Sequence, residues 1–362
     1  MTRSDVLRRR LATQRLHGER LPSGADVVRL LGCVQSQEYA HALWSLGMRT
    51  DQASAPEVQA EFDRGDFLRT HILRPTWHFV AAEDIRWILE VTAPRVQRLN
   101  QTIYRQHSLD PATLDNGVAV IAEELKGGRY RTRAELGEAL ADQRLPNQGI
   151  RLAYIVMNAE LEGVICSGPP RRAQQTYALL DERAPRSGFQ ARLASSAQTG
   201  DAAELAYRFF IGHGPASIQD LARWSSLTLT QCRDALDTVK DRLDNATVEG
   251  VELWFDPDAP TTEELPGALL LPLYDELTLS YPLINFPQAS GHPHKPGEDL
   301  FVGCVIIAET NVGIWRRVVK GRKMIMEIAL ARGAQRSRSL VEAAADRLAT
   351  FLEKELELTI TG

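Results

Sequence analysis

Apolar residues recur at helical spacing in two separated stretches of this chain, and each stretch then gives way to short strand-like runs. In the first, an apolar helix is predicted over residues 150–161, through Ile155, Val156 and Met157. It is preceded by Gly127-Gly128-Arg129-Tyr130-Arg131 and the helix start Thr132-Arg133-Ala134-Glu135-Leu136. Strand-type runs follow around Val164-Ile165-Cys166 and Thr176-Tyr177-Ala178-Leu179. In the second, Gly212-His213-Gly214-Pro215 leads through Ser217-Ile218-Gln219-Asp220-Leu221 to a helix over 230–239, then to strands near Ala246-Thr247-Val248 and Glu252-Leu253-Trp254-Phe255. The spacing Thr/Ser-x-x-Glu/Asp is that of a capping box, in which hydroxyl and carboxylate each satisfy a backbone N–H at the helix start. Helix, turn, capped helix, second helix and strand pair is the order of a winged helix. A lone capping box is common in helical proteins, so the repetition is what carries information.

The remaining pattern is organised around these repeats. Val6, Leu7 and Leu11 share one side of an N-terminal helix, and a further helix is predicted over 25–40. Residues 68–80 are mixed, with strand propensity at Trp77-His78-Phe79-Val80, which fits a less regular winged helix. After Gly267 the runs 268–273, 300–308 and 323–329 read as strands, and a long helix is predicted over 339–357 through Leu340, Ala344, Leu348, Phe351 and Leu352. The loop 285–299, with Pro287, Gly291, Pro293, Pro296 and Gly297, is long enough to be functional or mobile. A chain of 362 residues is expected to form several domains. The expected fold is α+β: tandem winged-helix domains over 1–110, 111–185 and 200–258, then a β-rich C-terminal part over 265–362 with its long helix.

Composition narrows the partners. With 44% hydrophobic and 25% charged residues this reads as a soluble globular protein, and no apolar run approaches the roughly 20 residues of a membrane helix. The start, Met1-Thr2-Arg3-Ser4-Asp5-Val6 and then Arg8-Arg9-Arg10, lacks the apolar core of a secretory leader, so a cytoplasmic location without a membrane partner is expected. Cys33, Cys166, Cys232 and Cys304 have no metal-ligand spacing and read as buried thiols. A net charge of -5 argues against nucleic acid, because phosphates are neutralised by Lys and Arg. The cations are nonetheless clustered. Arg3, Arg8, Arg9, Arg10, Arg15 and Arg20 crowd the N-terminus, Arg129, Arg131 and Arg133 flank the first repeat, and Arg316, Arg317, Lys320, Arg322 and Lys323 form a run, while acids gather over 256–264. One basic face on an acidic protein accounts for this, as do plain solvated helix faces.

The most pointed polar feature is Gln35-Ser36-Gln37-Glu38, which ends the apolar run from Val27 to Val34. On a helix, residues two apart diverge by about 200°, whereas on an irregular turn they converge. Spacing alone leaves this a solvated helix end. Other chemistries lack their motifs: there is no phosphate-binding glycine loop, no Gly-x-Ser-x-Gly elbow and no His-Glu-x-x-His. His292-Pro293-His294 reads as a loop, so no metal and no cofactor are expected, and no lysine lies in the apolar setting that a covalent lyase mechanism needs.

Three strings together resemble the AlkZ-like winged-helix DNA glycosylases over nearly the whole chain. They are Leu31-Gly32-Cys33-Val34-Gln35-Ser36-Gln37-Glu38, the segment Leu68-Arg69-Thr70-His71-Ile72-Leu73-Arg74-Pro75-Thr76-Trp77-His78-Phe79-Val80, and Leu271-Pro272-Leu273-Tyr274-Asp275-Glu276. The resemblance implies three tandem winged helices and a β-rich part around a DNA channel. It also implies excision of alkylated bases or unhooking of interstrand crosslinks, with double-stranded DNA as partner; no obligate protein partner is evident in the sequence. The family signature, two glutamines flanking a hydrophobic residue, falls on Gln35 and Gln37, with Ser36 departing from it at the middle position. Glutamine is neither acid nor base near neutral pH, but its amide holds a water in line with a sugar carbon. That is enough when the leaving group is a purine already made cationic by alkylation at N7 or N3. Glu38, His78, Asp275 and Glu276 are candidate supporting residues. Arg8, Arg9, Arg10, Arg74, Arg131, Arg133, Arg316, Arg317 and Lys320 are candidate phosphate contacts. The expectation is a monomeric, monofunctional glycosylase. The competing reading is a winged-helix regulator or damaged-DNA binder without catalysis, against which the apolar helix over 150–161 offers few side chains for base edges.

Overall fold

Thr132 stops the chain and starts a helix: its hydroxyl accepts the Glu135 backbone N–H, and the Glu135 carboxylate accepts the Thr132 N–H at 2.7 Å. The helix Arg133–Asp142 follows, and with Pro111–Leu125 and Gly149–Leu161 it encloses a core of Leu114, Ile121, Leu125, Leu136, Leu140, Leu152 and Ile155. Gly117 allows the close approach there, because a Cβ would stand 2.6 Å from Ile155 Cγ2. Arg131–Thr132, Gln174–Leu179 and Ile165–Arg171 form an antiparallel sheet in that spatial order, with Gln174–Leu179 in the middle. This is the wing expected from the sequence. Replacing Thr132 by Ala is expected to cost about 1 kcal/mol by orphaning the helix start, measurable as a lowered urea midpoint.

The second repeat has the same order. Asp201–His213 is followed by Ala216, bridged to Trp254, then by Ile218–Ser225, Leu229–Val239 and the hairpin Asp244–Val248 with Val251–Phe255. Its capping box is present too, with Ser217 N–H on Asp220 Oδ2 at 2.7 Å and the Asp220 N–H on Ser217 Oγ at 3.1 Å. Earlier in the chain the order recurs as Gly24–Leu31, Cys33–Gln35, Tyr39–Gly47, Ala55–Arg64 and the hairpin Phe67–His71 with Trp77–Ala81.

The computed structural model describes residues 1–172, 174–186, 201–262, 264–265, 267–294 and 301–362. The chain divides into two compact units, one of Met1–Ala60, Arg208–Asp220 and Lys240–Gly362, the other of Glu61–Tyr207 and Leu221–Val239. In the first unit a sheet runs in the order Glu355–Thr361, Lys323–Leu330, Thr310–Lys320, Gly303–Ile307 and Ala268–Leu271, antiparallel except for its parallel terminal pair.

Three elements differ from the sequence expectation. The helix predicted over 25–40 ends at Leu31, because Gly32 takes φ +74° and turns the chain into the strand Cys33–Gln35. The long terminal helix stops at Phe351; Glu353 takes φ +54°, and the alternation of Leu356, Leu358 and Ile360 belongs to the strand Glu355–Thr361. Thr310–Lys320, read as a basic run, is a strand. The loop after Asn285 is tied to that strand by Asn311 N–H on Pro287 O and Ala289 N–H on Asn311 O, each at 2.9 Å. Its stretch over 295–299, with Pro296 and Gly297, lies outside the described residues.

Candidate active site

Because Gly32 breaks the helix, Gln35 sits at the end of a strand and Glu38 begins the next helix, Tyr39–Gly47, without a side-chain cap. Ser36 is fully buried between Gln35, 9% exposed, and Gln37, which is exposed along with Glu38. Burial thus continues from the strand through Ser36 and ends at Gln37, so that of the two glutamines only Gln37 stands exposed.

The string Leu271-Pro272-Leu273-Tyr274-Asp275-Glu276 packs against this segment. It leaves the strand Ala268–Leu271, passes Tyr274 at φ +66°, and enters the short helix Glu276–Leu279 capped by Asp275. Glu276 is fully buried, and its Oε1 accepts the Gln35 backbone N–H at 2.8 Å while Oε2 accepts Ser280 Oγ at 3.1 Å. Leu273 N–H donates to His41 Nδ1 at 3.0 Å. Two of the strings that carry the family resemblance therefore meet.

A buried polar chain holds both sides of the segment. Asp275 takes both arms of Arg49, at 2.8 and 2.9 Å, and the Ser45 hydroxyl at 2.7 Å. Arg49 also donates to Gln14 Oε1, Gln14 Nε2 to Tyr281 Oη, and Tyr281 Oη to the His213 carbonyl. His213 Nε2 then donates to the Leu31 carbonyl at 3.0 Å, just ahead of the strand. Gly212 permits this approach, since a Cβ there would stand 2.2 Å from the Leu30 carbonyl oxygen. Burial pulls the Asp275 carboxyl upward, but the charge and hydrogen bonds of Arg49 hold it below the ordinary carboxylate value.

His41 stacks on Trp315, with ring centroids 5.4 Å apart and planes 6° apart. Burial first, and then the charge of Arg317, lower it to about 4, so at neutral pH it is an uncharged acceptor and no general acid. His78, fully buried, contacts the Thr76 carbonyl through Nδ1 at 3.0 Å and Arg74 through Nε2 at 3.1 Å. Burial and the Arg74 charge hold it well below its ordinary value. Both histidines favour the neutral form in the folded state. Stability is therefore complete above an unfolded value near 6.5 and falls as the pH drops towards 4, with unfolding taking up about one proton per histidine. Urea denaturation at pH 7, 6 and 5 checks this, and His41→Gln with His78→Gln should flatten the profile; stability level from pH 7 to 5 would sink it.

The cations divide by environment. Arg133, Arg316 and Lys320 are exposed, although Arg316 pairs with Glu327 and Arg133 donates to the Gly149 carbonyl. Arg131 pairs with Glu124 at 3.4 Å, Arg8 with Glu309 at 2.7 Å, and Arg9 lies 5.0 Å from the Phe255 ring. Arg74 donates to the Trp224 carbonyl at 3.1 Å. Arg317 donates to the Ala40 carbonyl at 3.2 Å, which places it beside the glutamine segment. Arg10 requires a correction. It is fully buried over the Tyr281 ring at 3.5 Å, donating to the Pro215 and Ile284 carbonyls, so it braces the interior and cannot reach a phosphate. His41, Arg49, Gln14, Tyr281 and His213 were not legible as site residues, because no local pattern marks them. His292 Nδ1 accepts the His294 N–H and Nε2 contacts Asn311 Oδ1, and among the described residues no cluster of three or more His, Cys, Asp or Glu could hold a metal ion. No helix among them is long and apolar enough to cross a membrane.

Repeated helix–strand–helix–helix–hairpin units, with a glutamine pair at the end of the first short strand, define a tandem winged-helix protein. The family described as "DNA glycosylase AlkZ-like" matches residues 28–351, and the chain belongs to that family. It is 28% identical over 253 residues to an interstrand DNA cross-link repair glycosylase of Streptomyces sahachiroi, a match spanning 67% of this chain and 66% of that protein's length. The solved structure of the Streptomyces sahachiroi DNA glycosylase AlkZ superposes over the whole of both chains with a TM-score of 0.77 at 21% identity, which bears on the fold.

Proposed function

We propose that this protein is a monofunctional DNA glycosylase that hydrolyses the N-glycosidic bond of cationic N7- or N3-alkylated purines in double-stranded DNA and unhooks interstrand crosslinks. Gln35 and Gln37 position the attacking water. The observation that carries this reading is the hold on the glutamine segment, with its Gln35 N–H on a buried Glu276 carboxylate and its flank on the Asp275–Arg49 network. Such preorganisation suits a reaction in which the enzyme orients water and stabilises a sugar oxocarbenium ion. A neutral His41 is compatible with a leaving group that needs no proton. The Streptomyces relative, named for crosslink repair, supports the substrate class.

Arg317 and the exposed Arg133, Arg316 and Lys320 are the proposed phosphate contacts in this arrangement. The modular division proposed alongside is 1–110, 111–185, 200–258 and 265–362. The regulator reading loses support because Leu152, Ile155, Val156, Met157 and Asn158 on the helix Gly149–Leu161 are buried and unavailable to a groove. Release of N7-methylguanine from a duplex by the purified protein tests the proposal. Binding without release, on both methylated and crosslinked duplexes, would move the assignment to a damaged-DNA binder.

A further inference from the structure

Two side chains beside the glutamine segment are held as donors without an anion to receive them. His41, on the first turn of the helix Tyr39–Gly47, is fixed twice: its ring stacks on Trp315 with centroids 5.4 Å apart, and its Nδ1 accepts the Leu273 N–H at 3.0 Å. Trp315 is itself pinned, by its indole N–H on the Leu271 carbonyl at 2.9 Å and by Gly303, where a Cβ would stand 2.2 Å from the indole nitrogen. An uncharged imidazole that accepts at Nδ1 carries its proton on Nε2, and that N–H has no partner among the described residues. Arg317 stands two residues past Trp315 on the strand Thr310–Lys320, hence on the same face, and donates to the Ala40 carbonyl at 3.2 Å. It is partly buried, its Nε–H is buried without a partner, and no carboxylate pairs with it among the described residues. Glu38, the acid closest in sequence to His41, pairs with neither. Burial lowers Arg317 with no carboxylate offsetting the loss of water, and the Arg317 charge in turn helps to keep His41 neutral. A partly buried guanidinium is ordinarily met by a carboxylate. Here a preset N–H donor lies next to it instead, which suits an anion brought from outside the chain.

We propose that the His41 Nε2–H and the Arg317 guanidinium together grip one phosphodiester of the lesion-bearing strand, at a linkage flanking the sugar that the glutamines address. The position of that sugar rests on the glycosylase reading; the clamp rests on the geometry of the two side chains. Arg317 supplies the charge. His41 supplies direction, because an N–H on a ring fixed at its face and at Nδ1 sets where the phosphate oxygen stands. Being neutral, His41 displaces no counterion, so the two contributions separate in their response to salt.

Binding of the full chain is measured on a duplex carrying a tetrahydrofuran abasic analogue, which has no base to release, with each flanking linkage replaced in turn by an uncharged methylphosphonate. One replacement is expected to weaken the native protein about tenfold, and that penalty should shrink to under about threefold in Arg317→Gln. Arg317→Gln should also lower the slope of log affinity against log salt by about one. His41→Phe keeps the stack and loses the donor, so it should weaken binding about fivefold with the slope unchanged. Arg317→Lys should restore the slope and only part of the affinity. Circular dichroism checks folding, and the methylphosphonate series on the native protein and Arg317→Gln carries the test if His41→Phe fails to fold. Equal methylphosphonate penalties in the native protein and Arg317→Gln at every linkage, an unchanged salt slope in Arg317→Gln, or unchanged affinity in a folded His41→Phe overturns the proposal. Displacement of the duplex by inorganic phosphate beyond that by chloride at equal ionic strength also overturns it, by making the pair a site for a free anion. Failure of base release with the binding pattern intact removes the glycosylase reading and leaves the clamp; base release without that pattern removes the clamp alone.

Discussion

Alanine at Gln35 or at Gln37 will slow release of N7-methylguanine under single-turnover conditions by about 10²–10³-fold, while duplex binding changes only a few-fold. The expectation follows from what an amide contributes when the leaving group is already activated: it fixes where the water stands and meets the charge that develops on the sugar. Losing one of two groups that hold the same water forfeits most of the effect, so the double variant should be only slightly slower than the worse single one. Glu276 supplies a control. Its carboxylate accepts the Gln35 backbone N–H, so Glu276→Gln keeps an acceptor and should retain more activity than Glu276→Ala, which orphans that buried N–H. Release unchanged within about threefold in both glutamine variants would remove the pair from the mechanism.

Asp275→Asn will destabilise the fold by about 3–5 kcal/mol, the largest stability effect expected of a single exchange at this site. Both Asp275 and Arg49 have fully buried side chains, so the change leaves an uncompensated guanidinium in the interior, and the cap on the helix Glu276–Leu279 is weakened with it. Coupling Asp275→Asn with Arg49→Met should restore part of the loss, since no unpaired charge then remains. Urea unfolding of the single and double variants reads this directly. A loss below about 1 kcal/mol for Asp275→Asn would show the pair to be dispensable.

The winged-helix repeats were legible in the sequence because everything that specifies them is local: the capping boxes at Thr132 and Ser217, the apolar helix over 150–161 and the strand pairs all lie within tens of residues. The glutamine string was legible as a break in an apolar run, but its setting was misread. Gly32, inside an otherwise helical pattern, was the stop signal, and its positive φ turns a solvated helix end into a strand end. What stabilises that strand could not be seen, since Glu276 is 241 residues from Gln35 and His213 is 182 from Leu31. Arg10 misled for a related reason. Consecutive helical residues point about 100° apart, so one run of charge divides among a Glu309 ion pair, the Phe255 ring and the interior. At the C-terminus the apolar period masked a change from helix to strand that Leu356, Leu358 and Ile360 record by alternation.

That last strand, Glu355–Thr361, forms the border of the five-stranded sheet, and a border strand is a template on which another chain can add. Its outward positions are Glu355, Glu357, Thr359 and Thr361, and Glu357 reaches back to Lys323 on the neighbouring strand. A charged, partly self-paired rim opposes edge-to-edge association between copies at high concentration, and neutralising Glu355 and Glu357 would turn a soluble margin into an adhesive one.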